Sequence, residues 1–133
     1  MKKVTVLLIT ILMMAVSLVG CGGNDDTIQT CIISNSSYSS QEELESANQE
    51  EALIVNEPVY ASVHFVESPK GMEYTVKWYL DGTEIKSETK ATEKDMQDIV
   101  VYELEAEQAV AGSLKLEVIY KDTILLTKEL IIQ

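Results

Sequence analysis

The fold is decided by residues 73–85, whose sequence is Glu-Tyr-Thr-Val-Lys-Trp-Tyr-Leu-Asp-Gly-Thr-Glu-Ile. Up to Asp81, polar residues alternate with apolar or aromatic ones. This period of two is typical of a strand that is buried on one face. The side chains that we expect to point inward are those of Tyr74, Val76, Trp78 and Leu80.

Asp81-Gly82 is the strongest turn signal in the chain, because both residues accept a positive φ. It predicts a hairpin with a two-residue turn. In that hairpin Leu80 pairs with Thr83, and Trp78 lies opposite Ile85 on the same face.

The same alternation recurs on both sides of this hairpin. A strand over residues 58–66 is predicted to turn Val59, Ala61, Val63 and Phe65 inward and Tyr60, Ser62 and His64 outward. Further strands are predicted at Ile99–Ala106, Leu114–Tyr120 and Ile124–Ile132. Between them we expect a polar loop at Thr89–Gln97, a corner at Glu107–Gly112 and a turn at Asp122-Thr123.

In the last predicted strand, the residues expected to point inward are odd-numbered near the turn and even-numbered near the end. A two-residue turn places Tyr120 opposite Leu125, whereas Leu130 and Ile132 have the opposite parity. One extra residue restores the alternation, which predicts a β-bulge near Thr127-Lys128-Glu129.

The outward face that results is unusually apolar, and exposed apolar patches often mark interfaces. Its candidate partner-contact residues are Tyr79, Ile119, Ile124 and Ile131. The alternative is that a loop or the segment before Pro58 covers this face.

Short strands joined by turns, with no long helix, predict a single all-β sandwich of about seven antiparallel strands over residues 52–133. Val76–Gly82 resembles strand C of immunoglobulin-like domains, where a tryptophan lies in the core, and Gly112–Leu116 resembles the start of strand F. No cysteine pair joins strands B and F, and Leu114 occupies the position of the tyrosine corner. The resemblance therefore implies the looser immunoglobulin-like or fibronectin-like domains of bacterial surfaces.

The N-terminus has the pattern of an export signal. Lys2 and Lys3 precede the apolar run Val4–Val19, which is short for a membrane span and suits a signal peptide. Leu18-Val19-Gly20-Cys21 resembles the lipobox of bacterial lipoproteins. That resemblance implies cleavage after residue 20 and diacylglycerol on Cys21, which would anchor the chain to the outer face of the cell membrane. The alternative is an uncleaved helix in which Cys21 has no role.

Residues 21–51 are predicted to form a flexible tether, because they are polar and acidic and contain no lysine. Their acidic residues are Asp25, Asp26, Glu42, Glu43, Glu45, Glu50 and Glu51. Within them, Gln41–Ala52 could form a short, fraying helix that is capped by Ser40, with Glu43 three residues later.

Few residues have the chemistry of a catalytic or metal site. If Cys21 carries lipid, Cys31 has no partner and is either a free thiol, an intermolecular link or a small apolar-patch residue. His64 is the sole imidazole and is predicted to face outward. We therefore expect no metal, no cofactor and no enzymatic activity, although paired carboxylates remain open.

The net charge further restricts the classes of partner that we expect this protein to bind. Removal of residues 1–20 leaves eight lysines against 22 acidic residues, a net charge of −14, which disfavours nucleic acid and anionic surfaces. Three hypotheses follow. The chain is a lipid-anchored envelope module that binds a protein or glycan or has a structural role, an inhibitor or immunity-type lipoprotein, or an enzyme with unrecognised carboxylates.

Overall fold

The computed structural model describes residues 27–133, which form a sandwich of two β-sheets. The described strands are β1 (Ile28–Ser34), β2 (Ala52–Leu53), β3 (Val59–Ser68), β4 (Glu73–Leu80), β5 (Thr83–Ala91), β6 (Met96–Leu104), β7 (Gly112–Tyr120) and β8 (Thr123–Ile132). One sheet has the order β1-β3-β6 and the other the order β2-β8-β7-β4-β5. The predicted class, an all-β immunoglobulin-like sandwich, is confirmed. The described residues contain eight strands, and β2 pairs with β8 in parallel.

The core lies between the sheets and follows the predicted alternation. The four residues predicted to face inward from β3 are fully buried, and Trp78 is fully buried on β4. Phe65 and Tyr74 stack across the two sheets with ring centroids 3.9 Å apart. From β6, Tyr102 donates its hydroxyl to the Tyr74 carbonyl at 2.8 Å, whereas the buried Trp78 Nε1 has no partner among the described residues.

The β4–β5 hairpin confirms the predicted turn and corrects the pairing beyond it. Asp81 and Gly82 have φ values of 50° and 90°, and Leu80 pairs with Thr83. Trp78, however, lies opposite Lys86, because Ile85 is an extra residue in β5. The extra residue lets Ile85 pack against the edge of the core.

The β7–β8 hairpin has the same construction, which corrects two predictions. Its turn is Lys121-Asp122, because Tyr120 pairs with Thr123. The bulge predicted near residues 127–129 lies instead at Leu125, between the pairs Val118–Leu126 and Ile119–Ile124. A bulge close to the turn restores the parity early, so that Leu130 and Ile132 are buried.

The polar loop predicted at Thr89–Gln97 is wrong. β5 continues to Ala91, β6 begins at Met96, and only residues 92–95 connect them. Lys86 and Lys90 of β5 point toward the other sheet, where they donate to the Glu103 and Val101 carbonyls at 2.5 and 2.7 Å. Ala106, predicted at the end of β6, belongs to a 3₁₀ turn, Ala106–Gln108.

The flexible tether predicted over residues 21–51 is corrected within the described residues. β1 pairs with β3 along its length and places Cys31 and Ile33 in the core. The reason is local sequence: Cys31-Ile32-Ile33 supplies enough apolar area to add a strand to the sheet. The folded domain therefore includes Ile28–Ser34, within the predicted tether.

A short helix, α1 (Gln41–Ser46), follows β1 and covers the outer face of the three-stranded sheet. Ser40 caps it as predicted, accepting from the Glu43 N–H at 3.2 Å, and Leu44 is its buried residue. Just before the helix, the Tyr38 N–H donates to the Ser62 hydroxyl at 2.9 Å. Ser62 and His64, predicted to face outward, are consequently buried.

Ile33 tests whether β1 belongs to the core. We expect Ile33→Ala to lower the free energy of unfolding by about 2–5 kcal/mol, since it removes a fully buried side chain. Gln29→Ala, at an exposed position of the same strand, should change it by less than about 0.5 kcal/mol. Urea unfolding of both variants measures this, and equal midpoints for the two would show that β1 is not part of the fold.

Candidate functional site

The attachment residue Cys21 lies outside the described residues, but the position at which the domain begins is defined. The Thr27 carbonyl accepts from the Val66 N–H at 2.7 Å, and Ile28 pairs with Phe65. Three connections lie at this end of the sandwich, which we call the Thr27 end: residues 69–72, 92–95 and 121–122.

The opposite end, which we call the Gln133 end, differs in charge. It consists of the connections 54–58, 81–82 and 105–111 and the last residue. These three connections carry the carboxylates of Glu57, Asp81, Glu105 and Glu107 and contain no lysine. At the Thr27 end, by contrast, each connection carries one lysine: Lys70, Lys94 and Lys121. The connections of the Thr27 end also carry Glu93, Asp95 and Asp122, so their formal charges sum to zero, whereas those of the Gln133 end sum to −4.

The predicted contact face is the outer face of the five-stranded sheet, and the structure divides it. Ile119 and Ile124 are paired across β7 and β8 near the Thr27 end. Ile131 pairs with Ser113 near the Gln133 end. Ile119 lies six residue steps from Ser113 along β7, a distance of about 20 Å in an extended strand. Two of the predicted residues are therefore brought together, and Ile131 is not among them.

Tyr79, the fourth predicted contact residue, belongs to a polar network between these two places. Its hydroxyl donates to Glu117 Oε1 at 3.0 Å, and Lys115 Nζ lies 4.7 Å from its ring centroid. Lys115 and Glu117 also form an ion pair at 3.6 Å. Desolvation raises the pKa of Tyr79, and the hydrogen bond to Glu117 raises it further. The tyrosine is therefore a neutral donor, and the network interrupts the apolar face.

Ile54 and Val110 are exposed apolar residues of the Gln133 end that sequence reasoning missed. Ile54 follows the two-residue strand β2, in which Ala52 pairs with Ile131 and Leu53 with the buried Ile132. The Asn35 side chain accepts from the Ile54 N–H at 2.9 Å and so fixes this segment. Alternation around the buried Leu53 is the only available sequence signal, and two residues are too few to recognise it.

The thiol and the imidazole of the described residues are both buried. His64 Nε2 lies 3.2 Å from Gln97 Oε1 on the covered face of the three-stranded sheet. Cys31 lies in the core, where burial raises the pKa of its thiol to about 11, although Lys128 opposes this. Within residues 27–133 no group of three His, Cys, Asp or Glu side chains is placed to hold a metal ion. Neither residue is therefore arranged for nucleophilic or metal chemistry.

The three-stranded and five-stranded sheets together define a small immunoglobulin-like β-sandwich. No protein-family profile matches the sequence, and no curated protein matches it. Several solved structures share the fold. A Niemann-Pick type C2 protein from the Japanese carpenter ant is 15% identical, with 86% of this chain and 97% of that one covered and a TM-score of 0.50.

Two further structures are more distant in shape. The CARDB domain of the PF1109 protein from Pyrococcus furiosus, in complex with di-metal ions, is 13% identical, with 81% of this chain and 90% of that one covered and a TM-score of 0.40. The alkylpurine DNA glycosylase AlkC from Pseudomonas fluorescens, bound to DNA, is 11% identical, and the match covers 80% of this chain and 30% of that one with a TM-score of 0.46. The likeness is one of fold alone.

Among the described residues, none of the helices is long and apolar enough to cross a membrane.

Cys31 gives the domain a defined pH dependence. Its folded pKa of about 11 lies above the ordinary value of 9.0, so the unfolded state releases the proton first as the pH rises. The stability contributed by the neutral buried thiol is therefore complete below about pH 9 and is lost as the pH rises toward 11. Each pH unit in that window should remove up to about 1.4 kcal/mol.

The measurement is the difference in unfolding free energy between the chain and its Cys31→Ala variant, both in a Cys21→Ser background. Taking this difference cancels the contribution of titratable groups that do not interact with Cys31. A difference that stays constant from pH 8 to 11 would contradict the assignment.

Proposed function

We propose that this chain is an extracytoplasmic lipoprotein, held at the cell membrane by lipid on Cys21, whose domain acts by contact and not by catalysis. The observation that carries the proposal is the position of the domain. Its first strand starts at Ile28, seven residues after the cysteine of the lipobox-like sequence, so lipid on Cys21 would hold the whole sandwich at the membrane. Two or more acyl chains are sufficient for stable attachment.

The contact role is supported by what the domain exposes. Its imidazole and thiol are buried, whereas Ile54, Ile124 and Ile131 are exposed on a rigid sheet and its border. Exposed apolar side chains rimmed by charge suit a binding or structural module of the envelope, with a protein or glycan as partner. A site for nucleic acid is disfavoured by the acidic charge.

Acylation is tested in a bacterial host that processes lipoproteins. We expect the full chain to incorporate labelled fatty acid, to sediment with membranes and to lose residues 1–20. Cys21→Ser should abolish the labelling and accumulate the precursor, as should the lipoprotein signal peptidase inhibitor globomycin in the unaltered chain. Cys31→Ala is the matched control and should be labelled normally. Equal labelling of the Cys21→Ser variant would refute the anchor.

The contact surface is tested by amine-reactive cross-linking of intact cells that carry a tagged full chain. Ile131→Lys should abolish a cross-linked species without changing the melting temperature, because the side chain is largely exposed. Ile124→Lys, on the same sheet face at the opposite end, should leave that species unchanged. If neither substitution changed the cross-linked species, this sheet face would not be the contact surface. A secreted hydrolase as the cross-linked species would favour the inhibitor or immunity-type function.

A further inference from the structure

We propose that the acylated protein rests on the bilayer by its Thr27 end, with Met96 and Ile124 at the level of the phospholipid headgroups and the Gln133 end facing outward. This inference rests on the proposed anchor at Cys21. It adds an interaction surface on the domain itself, and its partner is the phosphate-bearing headgroup layer.

The small number of residues between Cys21 and Thr27 limits where the domain can be. Only residues 22–26 separate Cys21 from Thr27, and the Thr27 carbonyl is already bound by β3. Six residue steps span at most about 20 Å when fully extended. The strands are about 30 Å long, as β8 contains ten residues. The Thr27 end is therefore held within one domain length of the lipid surface, at a high effective concentration.

The residues exposed at that end suit a lipid interface. Met96 and Ile124 are 51% and 52% exposed, although both are large apolar side chains. Lys94 precedes Met96 by two residues and Lys121 precedes Ile124 by three, and Lys121 Nζ is 5.3 Å from the Tyr120 ring. Lysine can lay its aliphatic stem along an apolar surface and direct its ammonium group to a phosphate. Apolar side chains with a lysine in each adjoining connection form such a surface.

The carboxylates of the same end are partly engaged within the domain. Asp95 Oδ1 accepts from the Lys70 N–H at 3.1 Å, and Asp98 Oδ2 accepts from the Glu93 N–H at 2.7 Å. The side chains of Glu67, Glu73, Glu93 and Asp122 also lie at this end, so its carboxylates outnumber its three lysines. The contact we propose is accordingly with headgroup phosphates, and it does not require a net anionic membrane.

The Gln133 end has the opposite character, which gives the orientation its direction. Its connections present carboxylates without a lysine, and phosphate groups repel them. A domain tethered at Thr27 could lie with its long axis along the bilayer or perpendicular to it. The carboxylates oppose any orientation that brings the Gln133 end to the bilayer. The exposed residues at the Thr27 end favour the perpendicular orientation, in which that end contacts the headgroups.

The experiment uses the acylated full chain reconstituted into phosphatidylcholine–phosphatidylglycerol vesicles. Single cysteines at positions 96, 124, 54 and 131 are labelled with a fluorophore, in a Cys31→Ala background. The four side chains they replace are closely matched, with exposed fractions of 51%, 52%, 53% and 45% for Met96, Ile124, Ile54 and Ile131. Quenching is measured with a nitroxide attached to the lipid headgroup.

We expect at least three-fold stronger quenching at positions 96 and 124 than at 54 and 131. The double substitution Lys94→Glu, Lys121→Glu should reduce quenching at position 124 while flotation and melting stay unchanged. Equal quenching at all four positions, or stronger quenching at 54 and 131, would overturn the orientation. Flotation and the mass of the N-terminal peptide report the anchor separately: a chain that carries no lipid refutes the proposed function, whereas one that floats with uniform quenching refutes only this inference.

Discussion

The pairing of β1 with β3 is the constraint on which the rest of the structure depends. Without it the smaller sheet would have two strands, β3 and β6, and the core would lose Cys31 and Ile33 on the side where β1 lies. Two-stranded sheets are marginally stable in water, and the five-stranded sheet could not bury its inner face against a sheet of only two strands. The same pairing sets the position of the domain along the chain. It makes Ile28–Ser34, within a stretch that is polar on average, an integral strand, so that the first described residue, Thr27, is only six positions after Cys21.

The open sides of the sandwich are closed by lysines, not by further strands. On one side Lys86 and Lys90 of β5 reach the carbonyls of β6. On the other side Lys128 of β8 donates to the Cys31 carbonyl of β1 at 2.6 Å, and the Gln49 side chain binds both the N–H and the carbonyl of Ile33. Charged side chains that point inward from edge strands oppose pairing with another chain. This construction disfavours the addition of a partner strand and leaves the sheet face and the two ends as contact surfaces.

The sequence predicted the elements whose own alternation is clear and failed where tertiary contacts decide. β3, β4 and β7 turn their predicted residues inward, and the Asp81-Gly82 turn is correct. β5 was shortened because its Lys86, Glu88 and Lys90 are polar, and only the neighbouring sheet explains why a strand should carry them inward. His64 was placed outside because alternation assigns a face but cannot show that α1 covers it. The bulge predicted in β8 is misplaced, because parity requires an extra residue without fixing its position. Packing places it next to the turn, as it does the bulge at Ile85, which the sequence did not predict. The contact face was found by parity, but its division by the Tyr79–Glu117 hydrogen bond depends on side-chain geometry.

That division changes how one sheet face can be used. A continuous apolar strip from Ile119 to Ile131 would be a single interface, and a partner would have to lie along the full length of the domain. With a polar network between them, the two places can serve different neighbours. Under the proposed anchoring, Ile119 and Ile124 lie on the side of the lipid, whereas Ile131 lies with Ile54 among carboxylates on the side from which a soluble partner arrives. Attachment at a single point, only six residues from a rigid sandwich, is therefore enough to give two similar groups of isoleucines different surroundings. A partner at the Gln133 end would meet an acidic rim first, so the same charges that oppose contact with lipid would favour a partner with a basic surface.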